Sequence, residues 1–565
     1  MQINQSVLQR NRARYLRFLI FGLLVWLVAR LGYWQLIRGP ELRDQALAMR
    51  LRDLQIEAKR GTIYDRTGRE LAVSIDVDSV YAMPGQIRNL TDTASHIARI
   101  LGLDETWVAE RLRRPEAFVW IQRKITASQA AEIRALALRG IGLTQESKRV
   151  YPQGSLASHV LGFAGIDSQG LEGIEYQYDA HLRGVPGRIA IEHDARGQEI
   201  PQAVHRYHAP SDGLSLVLTI DETIQYICER ELAQAVKLYG AQAGTILAMD
   251  PRSGEILAMA NYPDYDPNNY QAYPAASRRN SAVADMYAPG STFKPITAAA
   301  AVEEGIVAWS DHYICQGSHG VAGRQIGCWE RRGHGELSLS GVIEYSCNVG
   351  FMLIAEKLGL DKFYDYVQAF GLTRRSGVDL PAEAAGLIIP RSQAKPLDLA
   401  VMSFGQSLTV TPLQMLTAMC AIANGGTLVQ PHVVKELRDQ DGRVIETKVS
   451  RTETKVISTQ TARELIDSLE QTVLTGTGRR AYIAGFQLAG KTGTSQKVVD
   501  GEVSPDRHMS SFIGFGPASD PQVAMLVIID EPVGTIYGGM VAAPAFSAAM
   551  RDIYRYLGIP VTTGQ

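Results

Sequence analysis

Between Phe18 and Ile37 the chain is apolar for about 20 residues, with Arg30 as its one charge. A stretch of that length crosses a bilayer as a helix, the form in which a single segment satisfies its own backbone in lipid. Arg10, Arg12, Arg14 and Arg17 precede it, and no acidic residue occurs among the first 17. That bias makes residues 1–17 a cytoplasmic tail and residues 18–37 a single-pass anchor in the inner (cell) membrane. Trp34 suits the interface, and Arg30 is expected to snorkel outward or to pair with a neighbouring helix. A cleaved signal peptide is the competing reading, since Ala46-Leu47-Ala48 resembles a cleavage site. That site lies about ten residues beyond the apolar run, and the run is long for a signal sequence. With no second spanning segment visible, the chain after about residue 40 is expected outside the cytoplasm.

The 565 residues are enough for about two to four domains. A net charge of −2 gives no reason to expect nucleic acid or an acidic partner. The basic stretch Arg111 to Arg114 is short and lacks interleaved aromatics, so it reads as a solvated helix face. Five cysteines are too few for a disulfide scaffold. No C-x-x-C pair occurs, so a structural zinc site is not expected. Phosphate-loop and H-E-x-x-H patterns are also missing.

The first outer region is expected to span 40–210. Arg60 to Ala72 reads as a strand, a turn at Thr67-Gly68 and a second strand, and residues 91–140 have helical periodicity. No chemistry-bearing set is visible there, which suits a spacer or docking module. His205 to Gly213 looks like a linker. The second region, 214–560, opens with a strand at Leu214 to Asp221 and a helix from about Glu222 to Tyr239. Gly244 to Met249 and Glu255 to Met259 read as a hairpin. Ser511 to Gly516 and Val523 to Ile529 read as late strands, followed by a helix over about Pro544 to Tyr556. Strands at both ends with helices between them predict an α+β domain whose sheet is closed by distant segments.

Chemistry enters at Ser291-Thr292-Phe293-Lys294, which follows Pro289-Gly290 and opens a small-residue run expected to form a buried helix. Serine is a poor nucleophile until a neighbouring base takes its proton, and a neutral lysine one turn on can do so. Alone, this pattern is weak, since a capped helix start with an exposed lysine looks the same. Ser346-Cys347-Asn348 lies 55 residues downstream of Ser291, and Lys491-Thr492-Gly493-Thr494 lies 145 residues after Ser346. A S-x-x-K element followed by a serine-x-asparagine element and K-T-G is the combination of β-lactamases and penicillin-binding proteins.

The residue types fit acyl transfer. Ser291 is the candidate nucleophile and Lys294 the candidate base, with its titration lowered by burial and by Lys491 as a second cation. Of the two lysines, Lys294 is expected to titrate lower. Ser346 is placed to pass a proton to the leaving amine, and Asn348 to hold a substrate amide. Strand alternation puts Thr492 and Thr494 on one face, where their hydroxyls and the Lys491 charge suit a substrate carboxylate. Gly493 is expected to leave room for an acyl chain. The backbone N–H groups of Ser291 and Thr494 are the candidate oxyanion hole.

These residues resemble the class B penicillin-binding proteins, the D,D-transpeptidases of the cell wall. Arg60-Gly61-x-Ile63-x-Asp65-Arg66-x-Gly68, Arg149-x-Tyr151-Pro152 and Gly170-x-Glu172 follow the family's N-terminal order. Leu218-Thr219-Ile220-Asp221, Ser403-Phe404-Gly405-Gln406, Thr411-Pro412-Leu413-Gln414 and Tyr537-Gly538-Gly539 resemble stretches of its catalytic domain. Tyr287-Ala288-Pro289-Gly290 and Asn348 are similar to the septal branch, which serves division or sporulation. The resemblance implies an extended pedestal, or dimerisation, domain and a β-lactamase-like transpeptidase domain with an antiparallel sheet flanked by helices. It implies a serine acyl-enzyme that cross-links peptidoglycan stem peptides on lipid-linked precursor strands and is acylated by β-lactam antibiotics. No metal or organic cofactor is implied. The implied partners are a membrane glycan polymerase of the shape, elongation, division and sporulation family and other division membrane proteins, without nucleic acid.

Cys347 occupies the variable position of the serine-x-asparagine element, with Cys315 and Cys328 upstream. A Cys328–Cys347 bridge acting as a redox pair and three reduced thiols filling small spaces are the two readings. Rivals to septal cross-linking are an elongation-type class B enzyme, a β-lactam-hydrolysing or β-lactam-sensing serine protein, and a scaffold without catalysis. Glu383-Ala384-Ala385-Gly386 lacks the leucine and asparagine of a hydrolytic E-x-x-L-N element.

Overall fold

A computed structural model describes residues 3–192, 206–449, 453–499 and 502–561. The chain divides into two compact units, 1–58 with 185–211, and 59–184 with 212–565.

The first unit holds the apolar segment. Ile3–Gly32 is one helix, continued by a π turn over Tyr33–Ile37 and a helix over Gly39–Arg50. Among the described residues it is the one helix long and apolar enough to cross a membrane, with a mean hydropathy of 1.7 over an 18-residue window within Arg10–Ile37. Phe18, Leu19, Phe21, Leu24 and Val28 lie exposed along this helix. The Arg30 guanidinium sits over the Trp26 ring at 5.6 Å, so its nearest partner is an aromatic face one turn back. The unit also carries a three-stranded sheet in the order Leu51–Ile56, Gly187–Glu192, Arg206–His208. Part of the expected linker is therefore strand: Arg206–His208 pairs with Gly187–Glu192, and Ser211 bridges Val185. His205 lies outside the described residues.

In the second unit a five-stranded antiparallel sheet is ordered Ile256–Tyr262, Ala243–Met249, Val523–Asp530, Glu502–Gly516, Ala489–Val499. Early and late segments thus close one sheet, as the α+β pattern predicts. Its central strands are buried on both faces, so they read as continuous apolar runs. Ile246, Ala248, Met525 and Val527 pack under the helices Glu222–Tyr239 and Gly538–Leu557. Leu247, Met249, Leu526 and Ile528 face the opposite core, which contains the helices Lys294–Glu303, Asn348–Leu358 and Pro412–Ala423. The period of two along each strand assigns every residue to one core or the other.

Asp221 caps the helix Glu222–Tyr239 by accepting from the amides of Thr223 and Ile224 at 3.0 and 3.2 Å, and Gly240 ends it in the left-handed region. The last helix starts at Gly538, earlier than the sequence suggests, and carries Pro544 inside it. Proline lacks an N–H, so the Met540 carbonyl loses its helical donor. The Tyr239 hydroxyl donates to that carbonyl instead, at 2.7 Å.

A second sheet joins strands far apart in sequence. Ile63–Tyr64 runs parallel to Ser215–Leu218, which pairs with Val434–Arg438, and Glu70–Ala82 pairs with Ile141–Val150. Beneath it two of the N-terminal motifs converge on a buried carboxylate three residues past the third. Arg60 and Arg149 both bind Glu175, the latter at 2.6 Å, and the Tyr151 hydroxyl donates to it at 3.2 Å. Burial alone would raise the Glu175 pKa, but the two guanidinium groups hold it below its ordinary value.

Candidate active site

The Ser291 turn is built by close backbone approaches. Gly290 to Phe293 form a 3₁₀ turn that leads directly into the helix Lys294–Glu303. Gly290 has φ +57, and a Cβ there would meet the Thr494 carbonyl at 3.0 Å. Its N–H donates to the Gly405 carbonyl at 2.9 Å. A Cβ on Gly405 would in turn strike the Gly290 carbonyl at 2.1 Å. Two glycines thus let the serine turn sit between the strand Ala489–Val499 and the Ser403–Gln406 turn.

Lys294 points inward from the first turn of its helix and is fully buried. Its ammonium donates to the Ser346 carbonyl at 2.8 Å, the Ser346 hydroxyl at 3.1 Å and Asn348 Oδ1 at 2.7 Å. Ser346 adopts φ +55 at the break between the helices Leu339–Glu344 and Asn348–Leu358. This left-handed residue presents both its carbonyl and its hydroxyl to the lysine. Trp329 Nε1 donates to the carbonyls of Tyr345 and Ser346 at 3.0 and 3.1 Å, tying the preceding loop to the same turn.

Burial pushes the Lys294 ammonium down to about 7. Lys491 is also fully buried and is held well below its ordinary value, first by burial and then by the Lys294 charge. Burial is the first cause of the lowering at both amines. Lys294 has three near acceptors, whereas the Lys491 contacts are long, at 3.4 and 3.5 Å to Thr492.

A cavity of about 740 Å³ opens beside this cluster, lined by Ser291, Ser346, Asn348, Thr492, Gly493 and Thr494. The three separated motifs therefore meet at one space. Lys491 does not line it; Arg479 and Arg480 are the cations on its wall. Gly493 lines the cavity and also serves packing. A Cβ there would meet Ser511 Oγ at 2.3 Å and Thr292 Cγ2 at 2.8 Å, so glycine lets the strand close on the serine turn. Thr492 donates to Thr477 Oγ1 at 3.0 Å, and Thr494 Oγ1 accepts from the Gly538 amide at 3.1 Å. Trp329, Phe404, Gln406, Thr477, Tyr537 and Met540 complete the wall. Of the lining residues, Thr477, Arg479 and Arg480 carried no usable sequence signal beyond the glycine-rich stretch around them. All five cysteines are free thiols, and the Cys328 and Cys347 sulfurs lie 4.0 Å apart without a bond.

An antiparallel sheet whose edge strand lines a cavity with a serine turn, above a buried lysine near neutrality, defines a serine acyl-transfer protein. Residues 244–551 match the penicillin binding protein transpeptidase domain, and residues 55–218 match the penicillin-binding protein dimerisation domain. The chain is 41% identical to stage V sporulation protein D of Bacillus subtilis over 97% of its length and 86% of that protein's. It is 33% identical to the peptidoglycan D,D-transpeptidase FtsI of Escherichia coli, over 96% of this chain and 91% of that one. Penicillin binding protein 3 of Mycobacterium tuberculosis, solved with aztreonam, superposes with a TM-score of 0.71 at 28% identity, covering 90% of this chain and 98% of that one. The chain belongs to the class B penicillin-binding proteins, the serine peptidoglycan D,D-transpeptidases that join a dimerisation domain to a transpeptidase domain.

Proposed function

We propose that the chain cross-links peptidoglycan through an acyl-enzyme on Ser291, in septal or spore wall synthesis. Neutral Lys294 takes the Ser291 proton, and Oγ attacks the carbonyl carbon between the two terminal D-alanines of a stem peptide. The oxyanion accepts from the backbone N–H groups of Ser291 and Thr494. Collapse breaks the peptide bond, and the leaving D-alanine amine receives a proton through Ser346. An amine of a neighbouring stem then attacks the ester, forms the cross-link and returns the proton to Ser291. Asn348 holds the stem amide, and Thr492 and Thr494 hold the donor carboxylate. Lys491 lies buried behind them, and Arg479 and Arg480 are the cations on the cavity wall. β-Lactams enter by the same attack and remain as esters.

The observation that carries this reading is the buried Lys294 amine, bonded to Ser346 and Asn348 and balanced near neutrality. The similarity to stage V sporulation protein D and FtsI supports the septal or sporulation role. In this reading 18–37 is an inner-membrane anchor with a cytoplasmic N-terminus, 40–210 a pedestal and 214–560 the catalytic domain. A membrane glycan polymerase and other division proteins are its partners.

Labelling with fluorescent penicillin followed by peptide mapping tests the chemistry. One stable adduct on the Ser291 peptide, lost in Ser291→Ala, is expected. An adduct elsewhere, or rapid release of opened penicillin, refutes it. Failure of Ser291→Ala to restore septation or spore wall in a depleted cell is expected for the role.

A further inference from the structure

Beside the active site three thiols and an imidazole are gathered without a stated purpose. The donor atoms of Cys315, Cys328, His334 and Cys347 all lie within 4.8 Å of one another. The three cysteines are buried and the histidine is half-buried. Cys328 Sγ is 3.7 Å from His334 Nδ1 and 4.0 Å from Cys347 Sγ. Tetrahedral zinc with Zn–S near 2.3 Å and Zn–N near 2.0–2.1 Å requires edges of about 3.8 Å between sulfurs and about 3.5 Å between sulfur and nitrogen. Both observed edges come within a few tenths of an ångström. A disulfide requires sulfurs at about 2.05 Å.

The fold builds this cluster from several segments. Cys315 ends the strand His312–Cys315, which pairs with Gly335–Ser338 and so brings His334 alongside. Cys328 follows the strand Arg324–Gly327, and its amide donates to the Gly317 carbonyl at 2.8 Å. Gly333, at φ +83, lets its turn pass the Cys315 carbonyl, which a Cβ would meet at 2.3 Å. Cys347 caps the helix Asn348–Leu358, and its sulfur accepts from the Gly350 amide at 3.4 Å. Backbone N–H groups aimed at sulfur form the outer shell that stabilises metal thiolates.

We propose that Cys315, Cys328, His334 and Cys347 bind one zinc ion as a closed structural site that positions the catalytic turn. Binding forms three Zn–S bonds and one Zn–N bond and releases the thiol protons to solvent. All four positions are filled by protein, so the ion has no open position for substrate. Cys347 lies between Ser346 and Asn348, and Trp329 follows Cys328. The ion therefore fixes both the left-handed Ser346 and the Trp329 wall of the cavity. This assignment replaces the sequence expectation of no metal. The ligands are spaced 13, 6 and 13 residues apart, so no C-x-x-C pair announces them.

The test uses the full-length protein, purified in detergent with reductant and without chelator. Elemental analysis is expected to give about one zinc per chain, and cobalt(II) exchange the intense visible bands of a tetrahedral thiolate site. Cys315→Ser and His334→Ala are expected to lose the metal while keeping their circular dichroism. Reduced protein that holds no zinc, even after zinc is supplied, overturns the proposal. So does full metal content in both variants, or a Cys328–Cys347 disulfide in protein isolated without air. Should a variant fail to fold, wild-type cobalt protein decides: octahedral or absent bands overturn the site. None of these readouts uses acylation, so their failure leaves the Ser291 reading untouched.

Discussion

Replacing Lys294 by methionine separates the chemical and the structural consequences of burying an amine. Charging a lysine whose pKa falls from 10.5 to about 7 costs the folded state about 5 kcal/mol more than the unfolded chain, at pH values below 7. The sign follows from proton binding. Between about pH 7 and pH 10 the unfolded chain holds a proton that the folded lysine has released, so wild-type stability rises with pH across that window. Lys491 is depressed too and moves the same way. In Lys294→Met the Lys294 contribution is gone, so the variant gains relative to wild type at pH 6 and loses that advantage toward pH 10. The three acceptors left without their donor, on Ser346 and Asn348, subtract a roughly pH-independent amount. Denaturant melts of both proteins at pH 6, 8 and 9.5 read the difference. Acylation is the companion assay. The wild-type rate constant with a fluorescent penicillin should rise through a midpoint near pH 7, because the neutral amine is the active form. Lys294→Met should be slower by about 10²–10⁴-fold, with that limb gone. A wild-type midpoint above about pH 9, or a variant keeping the limb near pH 7, refutes the argument.

Three other perturbations have defined outcomes. Glu175→Gln leaves Arg60 and Arg149 buried without their shared carboxylate and should destabilise the protein by about 3–5 kcal/mol in urea melts. Because the Glu175 pKa is held low, the gap between wild type and variant should persist above about pH 4 and close as acid protonates the carboxylate. Gly493→Ala drives a methyl group into Ser511 Oγ and Thr292, so a loss of about 1–3 kcal/mol and slower penicillin acylation are expected. Tyr239→Phe removes the donor to the Met540 carbonyl and should cost about 1 kcal/mol. Pro544→Ala restores the helical N–H, so the two substitutions should be non-additive in a double-mutant cycle.

Local pattern was readable wherever a period or a cap decides structure. The apolar run to Ile37, the strand Gly244 to Met249, the helix from about Glu222 and the strand carrying Lys491 to Thr494 each follow from neighbours in sequence. The motifs also made legible which segments carry the chemistry, since Ser291, Ser346 and Lys491 sit in recognisable surroundings. Tertiary structure decided what the intervening loops bring to those segments. Arg479 and Arg480 reach the cavity wall because the chain leaving the helix Thr459–Leu474 turns back beside the Ala489–Val499 strand. The acceptors that hold the Lys294 amine come from a turn more than fifty residues away in sequence. The sulfur and imidazole cluster is set by the crossing of two short ribbons at Gly317 and Gly333. Sequence spacing reports angles around one helix or along one strand. It does not report the distance between side chains on separate elements, and both proton affinity and metal coordination vary over ångströms of that distance.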